Sequence, residues 1–169
     1  RYESNLLNSY GHPVPVVAGQ LQRSGREAVA KVVKSEFSDA SDTLAIDISS
    51  AYVVKSLQKL QRTFLFSRQG RGSLRIVDEV AFSQPEAFGT ALITFSKWKQ
   101  EGATRLVIGE GAEAVLVEVT AAVAAPKFRF EEIKEDRGGK SLPVRLGFDL
   151  PSSVTKATLT TTIVPVGSP

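Results

Sequence analysis

The clearest strand pattern in this chain is Leu142-Pro143-Val144-Arg145-Leu146-Gly147-Phe148-Asp149-Leu150. Its even positions are all apolar, and its odd positions carry proline, arginine, glycine and aspartate. Successive side chains of a β-strand point to opposite faces. This period of two therefore predicts a strand with one buried face and one polar face.

Shorter stretches of the same alternation occur along the chain, at residues 44–48, 74–80, 115–119 and 128–130. Residues 157–166 are rich in Thr, Ile and Val, which favour strands. Glycine-containing turns at residues 67–73, 109–111 and 137–140 separate these runs as hairpin connections. We therefore predict an all-β fold, an antiparallel two-sheet β-sandwich of about 10–12 hairpin-connected strands.

One segment departs from this alternation. Val53, Leu57, Leu60 and Phe64 are spaced by four, three and four residues, which is helical spacing. The sequence therefore allows at most one short helix near residues 51–60, with a strand beginning at about Gln61.

Length and composition favour a single β-sandwich domain over residues 1–169. Hydrophobic residues make up 42% of the chain and charged residues 23%, as in ordinary globular domains. No apolar run approaches the roughly 18–20 residues that span a bilayer, so no membrane partner is expected. The first residues do not resemble a signal peptide, and the chain lacks methionine. We expect it to be part of a longer protein.

The net charge of the chain gives little indication of its binding partners. The net charge is +3, from 21 basic and 18 acidic residues. Basic residues cluster at Arg62, Arg68, Arg71 and Arg75, and glycines interrupt this cluster. This cluster is either a solvated hairpin tip or a surface facing an acidic polymer. Because the chain carries no nucleic-acid-binding motif, we expect no nucleic-acid partner.

His12 is the only histidine, and the chain has no cysteine. Its imidazole can change charge near neutral pH, and Gly11, Pro13 and Pro15 shape the backbone around it. The alternatives for His12 are a residue that acts on a substrate and a structural histidine beside a tight turn. Thiolate chemistry and metal binding by several histidines are excluded. The carboxylates do not have calcium-loop spacing, so we predict no metal and no cofactor.

Two further candidates are weaker. Asp78 and Glu79 are adjacent carboxylates, but neighbouring residues of a strand face opposite ways and cannot readily cooperate. One of them is expected to be solvated, and the other is expected to lie at a sheet edge or to pair with an arginine. Trp98, between Lys97 and Lys99, is either a platform for a sugar ring or a semi-buried structural residue.

The run N-S-Y-G-H-P-V-P-V-V-A-G-Q-L-Q at residues 8–22 resembles the C-terminal half of the heparinase II/III-like polysaccharide lyases. Asp47, the pair Ala51-Tyr52, and the runs L-Q-R-T-F-L-F-S-R and L-R-I-V-D-E-V add to the resemblance. It covers residues 8–95 with recognisable motifs and continues more weakly to the end.

The resemblance implies a β-sandwich that follows an N-terminal α/α toroid absent from this chain. The substrate cleft would lie between the two, and the toroid would supply a catalytic tyrosine. Such lyases cleave uronic-acid polysaccharides by β-elimination. The resemblance assigns catalysis to His12 and implies a periplasmic or secreted protein.

Gln20, Asn8 and Arg23 are the candidates for substrate contacts, with Gln20 and Gln22 expected on one strand face. The partners expected are therefore an acidic polysaccharide and the toroid of the same protein. This domain alone should be inactive or nearly so.

The chain also departs from the family pattern. Pro13 stands where relatives often have asparagine. Many relatives hold a metal near this histidine with further histidines, and this chain has none. The alternative function is a non-catalytic β-sandwich that binds carbohydrate or supports a larger assembly.

Overall fold

The computed structural model describes residues 3–135 and 141–166. In these ranges the chain forms twelve strands: β1 (Val16–Val17), β2 (Lys31–Phe37), β3 (Ser41–Asp47), β4 (Leu57–Ser67), β5 (Ser73–Glu86), β6 (Phe88–Thr94), β7 (Trp98–Gln100), β8 (Arg105–Ile108), β9 (Val115–Ala121), β10 (Lys127–Glu132), β11 (Val144–Asp149) and β12 (Val154–Pro165). Three single-turn 3₁₀ helices span Ser9–Gly11, Ser49–Ala51 and Gly111–Glu113. Among the described residues, no helix is long and apolar enough to span a bilayer.

The strands form two antiparallel sheets. The large sheet has the order β2-β3-β4-β5-β12-β9-β8-β7, and the small sheet has the order β1-β6-β11-β10. The predicted all-β, antiparallel two-sheet β-sandwich is confirmed.

The predicted hairpins are formed by neighbouring strands. Ser67 pairs with Ser73 at the end of the β4–β5 hairpin, and Ile108 pairs with Val115 in the β8–β9 hairpin. β10 and β11 also pair as predicted. The turn predicted at residues 137–140 lies outside the described residues.

The core lies between the two sheets. Leu146 and Phe148 of β11 are fully buried, as their even positions in the alternation predict. They pack with Leu60, Val117 and Leu159 of the large sheet. Full burial of one such side chain contributes about 1.5–3 kcal/mol. The inner faces of the sheets therefore hold the sandwich together.

β4 begins at Leu57, earlier than the expected start at Gln61. A bulge between Leu57 and Lys59 inserts one extra residue opposite β5. Because one extra residue reverses the alternation, Leu57 and Leu60 both pack on the core although they are three residues apart. The spacing of three residues between Leu57 and Leu60 thus comes from a bulged strand and not from a helix.

Candidate functional site

His12 lies on an irregular segment that precedes β1. The 3₁₀ helix Ser9–Gly11 ends at His12, whose backbone is extended and whose side chain is exposed. Asn8 caps the helix start, because its side-chain oxygen accepts the Tyr10 N–H at 2.8 Å. A Cβ at buried Gly11 would lie 2.2 Å from the Leu6 carbonyl oxygen, so only glycine fits there.

Arg145 holds this segment from the outer face of the small sheet. Leu146 and Phe148 face the core, so Arg145 points the opposite way, yet it is only 1% exposed. Its Nη1 donates to the carbonyl oxygens of Tyr10 at 2.5 Å and His12 at 3.3 Å. The guanidinium also lies over the Tyr10 ring, 4.6 Å from the centroid. Burial lowers the pKa of Arg145.

Arg62 holds the same segment from inside the sandwich. Its Nη1 donates to the Pro13 carbonyl oxygen at 2.5 Å. Its Nε and Nη2 donate to the two carboxylate oxygens of Asp78 at 2.6 and 2.7 Å, and Nη2 also donates to Thr90 Oγ1 at 3.0 Å. Asp78 is fully buried. This bidentate pair therefore fixes the direction of the third donor.

The placement of Arg62 in a solvated basic cluster is wrong. Arg62 lies directly opposite Asp78 in the β4–β5 register and faces the core. The other cluster members, Arg68, Arg71 and Arg75, are exposed, and Arg68 pairs with Asp42 at 2.6 Å. The cluster is thus one buried structural arginine plus three surface arginines.

Tyr52 is the third buried side chain that holds this segment. Its buried hydroxyl donates to the Pro15 carbonyl oxygen at 2.7 Å, and burial raises the pKa of Tyr52. Ser9 connects this segment to residue 22, because its Oγ accepts a hydrogen bond from the Gln22 N–H at 2.9 Å. Three buried side chains from different parts of the sandwich thus bind four carbonyl oxygens around His12. The backbone is held while the imidazole stays accessible.

The exposed imidazole borders a surface groove of about 450 Å³. Of the predicted substrate-contacting residues, Asn8 and Arg23 line the same groove. The Arg23 side chain is about one third exposed and pairs with Glu27 at 3.1 Å. The groove therefore combines an imidazole, an amide and a guanidinium, which suits an anionic, hydroxyl-rich ligand.

Gln20 lies outside this groove. It is exposed and follows a tight turn in which Ala18 and Gly19 have φ angles of 51° and 71°. Gln20 forms an isolated β-bridge with Val17, the last residue of β1. Gln20 and Gln22 therefore do not line one strand face.

The remaining candidates have structural surroundings. Asp78 forms a salt bridge with Arg62, and the Glu79 carboxylate lies 3.2 Å from Lys59 Nζ. Asp78 and Glu79 therefore do not act together as a carboxylate pair. Trp98 is half-buried, with ring centroids of Phe128 and Phe130 at 5.6 and 4.9 Å. Within residues 3–135 and 141–166, no cluster of three or more His, Cys, Asp or Glu suits a metal ion.

Sequence reasoning missed Arg145 and the role of Tyr52. The pair Ala51-Tyr52 belongs to the family resemblance, but the sequence does not indicate what the Tyr52 hydroxyl binds. Arg145 occupied a polar position of an alternating strand, and that pattern predicts solvent exposure. Its burial depends on the N-terminal segment crossing this face, which no local pattern encodes.

Comparison with known proteins gives a likeness of fold. No protein-family model and no curated protein matches the chain. Three solved structures are similar in fold. The heparinase III BT4657 gene product has 12% sequence identity and a TM-score of 0.73, and a heparan sulfate lyase HepC from Pedobacter heparinus has 14% identity and a TM-score of 0.73. A heparinase III has 18% identity and a TM-score of 0.67. Each match covers 93% of this chain and 24% of the other chain. The described residues therefore form a heparinase-like β-sandwich, a fold that occupies about a quarter of those larger proteins.

Proposed function

We propose that this chain is the β-sandwich part of a polysaccharide lyase that cleaves a uronic-acid-containing polysaccharide by β-elimination, with His12 as a catalytic residue. One observation carries the proposal. The single histidine is exposed at a groove, while Arg145, Arg62 and Tyr52 hold the backbone on both sides of it. A side chain that must meet a reacting atom benefits from such support.

The reaction requires a base, an acid and a group that stabilises negative charge. The base removes the C5 proton of the uronate, the C4–O glycosidic bond breaks, and a C4=C5 double bond forms. The acid protonates the departing oxygen. His12 suits either of two roles, since its N–H can donate to the uronate carboxylate or its free nitrogen can accept the C5 proton.

Arg23 and Asn8 are proposed to bind the substrate beside His12. The Arg23 guanidinium pairs with a carboxylate or sulfate of the polymer, and the Asn8 amide contacts hydroxyl groups. The Arg23 Nε is buried without a hydrogen-bond partner among the described residues. Gln20 lies outside the groove and is a contact only for a polymer that extends beyond it.

The groove beside His12 can form only one wall of a substrate cleft. The proposal therefore includes an N-terminal α/α toroid of the same protein, which supplies the opposite wall and a catalytic tyrosine. It also includes a periplasmic or secreted location, where acidic polysaccharides are encountered. The sandwich alone is expected to be inactive, and no metal or cofactor enters the proposed chemistry.

The test is an ultraviolet assay for unsaturated uronate, run on the complete protein with heparan sulfate, heparin and alginate. His12→Ala should lower kcat/KM by about 100-fold or more, the usual loss of an acid–base group. His12→Gln keeps a hydrogen-bond donor, so partial activity in it identifies the donor role and its absence identifies proton transfer. Gln69→Ala, exposed at the β4–β5 turn, is the matched control.

Two outcomes contradict the proposal. Full activity in His12→Ala removes His12 from the mechanism. Binding of the polysaccharide by the wild-type protein without any unsaturated product supports the non-catalytic carbohydrate-binding alternative instead.

A further inference from the structure

β2 is an edge strand of the large sheet. All seven of its residues are exposed. In the described part of the chain, β2 pairs with β3 on one side and with no strand on the other. Val33 and Phe37 are 57% and 70% exposed. An open edge with apolar side chains is a site where another strand can add.

The backbone of β2 shows which groups face the open side. Ser38 N–H donates to the Ser41 carbonyl oxygen at 3.0 Å, so these two residues form a hydrogen-bonded pair. Such pairs alternate along an antiparallel ladder. Ser35 and Phe37, opposite Leu44 and Asp42, are therefore non-hydrogen-bonded positions, and their N–H and C=O groups point away from β3.

We propose that a second copy of this chain pairs with this edge, antiparallel, about a twofold axis at Ser35. In this register the two Ser35 residues exchange a pair of backbone hydrogen bonds. Lys34 of each copy lies opposite Glu36 of the other. The interface is isologous, as most homodimer interfaces are.

Charge complementarity selects this register. A twofold axis at Lys34 or at Glu36 places like charges opposite each other, which is unfavourable. An axis at Phe37 leaves Lys34 opposite Ala40 and Glu36 opposite Ser38, without opposite charges. Only the axis at Ser35, among these four, forms two opposite-charge pairs.

The side chains already have a compatible arrangement. Lys34 Nζ and Glu36 Oε2 lie 2.9 Å apart on one face of β2. Two copies in the proposed register place four charges of alternating sign next to one another. Phe37 points to the opposite face of β2 and lies opposite Val33 of the other copy. A bulge between Val32 and Lys34 ends the regular pairing, so the interface is short and the dimer should dissociate on dilution.

The experiment is sedimentation velocity of the complete protein over a concentration series at low salt. The expected result is a monomer–dimer equilibrium. Lys34→Glu and Glu36→Lys each set like charges opposite each other twice, and each should raise the dimer Kd by about tenfold or more. The double variant Lys34→Glu/Glu36→Lys should restore the wild-type Kd, and so should an equimolar mixture of the two single variants.

A backbone variant tests the register independently of charge. Ser35→Pro removes an N–H that points to the open side, so it should abolish the dimer and leave β2–β3 pairing and the circular dichroism spectrum unchanged. A monomer at every concentration overturns the proposal. So does a dimer whose Kd is unaffected by the single charge reversals. Because no substrate is used, these outcomes are separate from those that test the lyase function.

Discussion

Two regions of the molecule are held in opposite ways. The segment of residues 8–15 has almost no regular structure, yet buried side chains bind its carbonyl oxygens at four positions. The β2–β3 hairpin, residues 31–47, is a hydrogen-bonded ladder with one bulge, yet its outer strand is exposed along its whole length. Regular secondary structure is therefore a poor guide to which backbone segments of this protein are bound by buried side chains.

The difference follows from the needs of backbone polar groups. In the hairpin the ladder itself satisfies the N–H and C=O groups that face inward. The irregular segment has no ladder, so its carbonyl oxygens require donors from elsewhere. Arginine supplies several donors in a fixed geometry. Arg145 donates to two carbonyl oxygens of this segment, and Arg62 donates to a third while it also binds Asp78. This support surrounds the exposed His12.

The largest loss of stability is expected when Arg62 is replaced. Arg62→Ala leaves the fully buried Asp78 carboxylate without its partner, which should cost about 3–5 kcal/mol of unfolding free energy. Urea denaturation of the complete protein measures this. Arg68→Ala is the matched control, because Arg68 also holds an aspartate with two hydrogen bonds, from Nη1 and Nη2 to Asp42, but on the surface of the hairpin.

The control should shift the urea midpoint only slightly, since solvent screens an exposed pair. Equal losses in the two variants would contradict the contrast between the two regions. The double variant Arg62→Met/Asp78→Leu should recover much of the loss, because no buried charge is then unpaired.

A smaller effect is expected at Tyr52. Tyr52→Phe removes the donor to the Pro15 carbonyl oxygen and should cost about 1 kcal/mol. Burial raises the pKa of Tyr52 in the folded state, so the unfolded state loses this proton first as pH rises. Wild-type stability should therefore fall as pH rises above about 10, the unfolded value. Denaturation at pH 8 and above 10 should show a weaker decline in the variant; an equal decline would contradict this role of Tyr52.

The smallest effect is expected where the N-terminal segment begins. The Ser4 hydroxyl donates to Glu135 at 2.6 Å and the Leu6 N–H donates to it at 2.9 Å, and these bonds lower the pKa of Glu135. A lowered pKa gives a contribution that is present above the unfolded value, about 4.3, and is lost as pH falls through the folded value. Glu135→Gln should therefore reduce the acid sensitivity of the melting temperature. An unchanged acid profile would show that this anchor contributes nothing.

Local patterns predict much of this molecule. The alternation at Leu146 and Phe148 predicts both a strand and its core-facing side, and the surroundings of His12 indicate a shaped loop. The burial of Arg145 and Arg62 was not predictable, because it depends on contacts between distant parts of the chain. The partners of Arg62 are 16 to 49 positions away in sequence, and those of Arg145 are 133 and 135 positions away. The bulge in β4 likewise depends on its pairing with β5, which a helical spacing at residues 53–64 conceals.

The most direct test of the central claim is hydrogen–deuterium exchange of the complete protein, followed by mass spectrometry of peptides that cover residues 8–17. If Arg145 holds this segment, its amides should exchange slowly in the wild type. Arg145→Met should accelerate them by about tenfold or more while residues 73–86 of β5 stay unchanged. Fast exchange in the wild-type segment, or no change in the variant, would contradict the claim that buried side chains hold the backbone around His12.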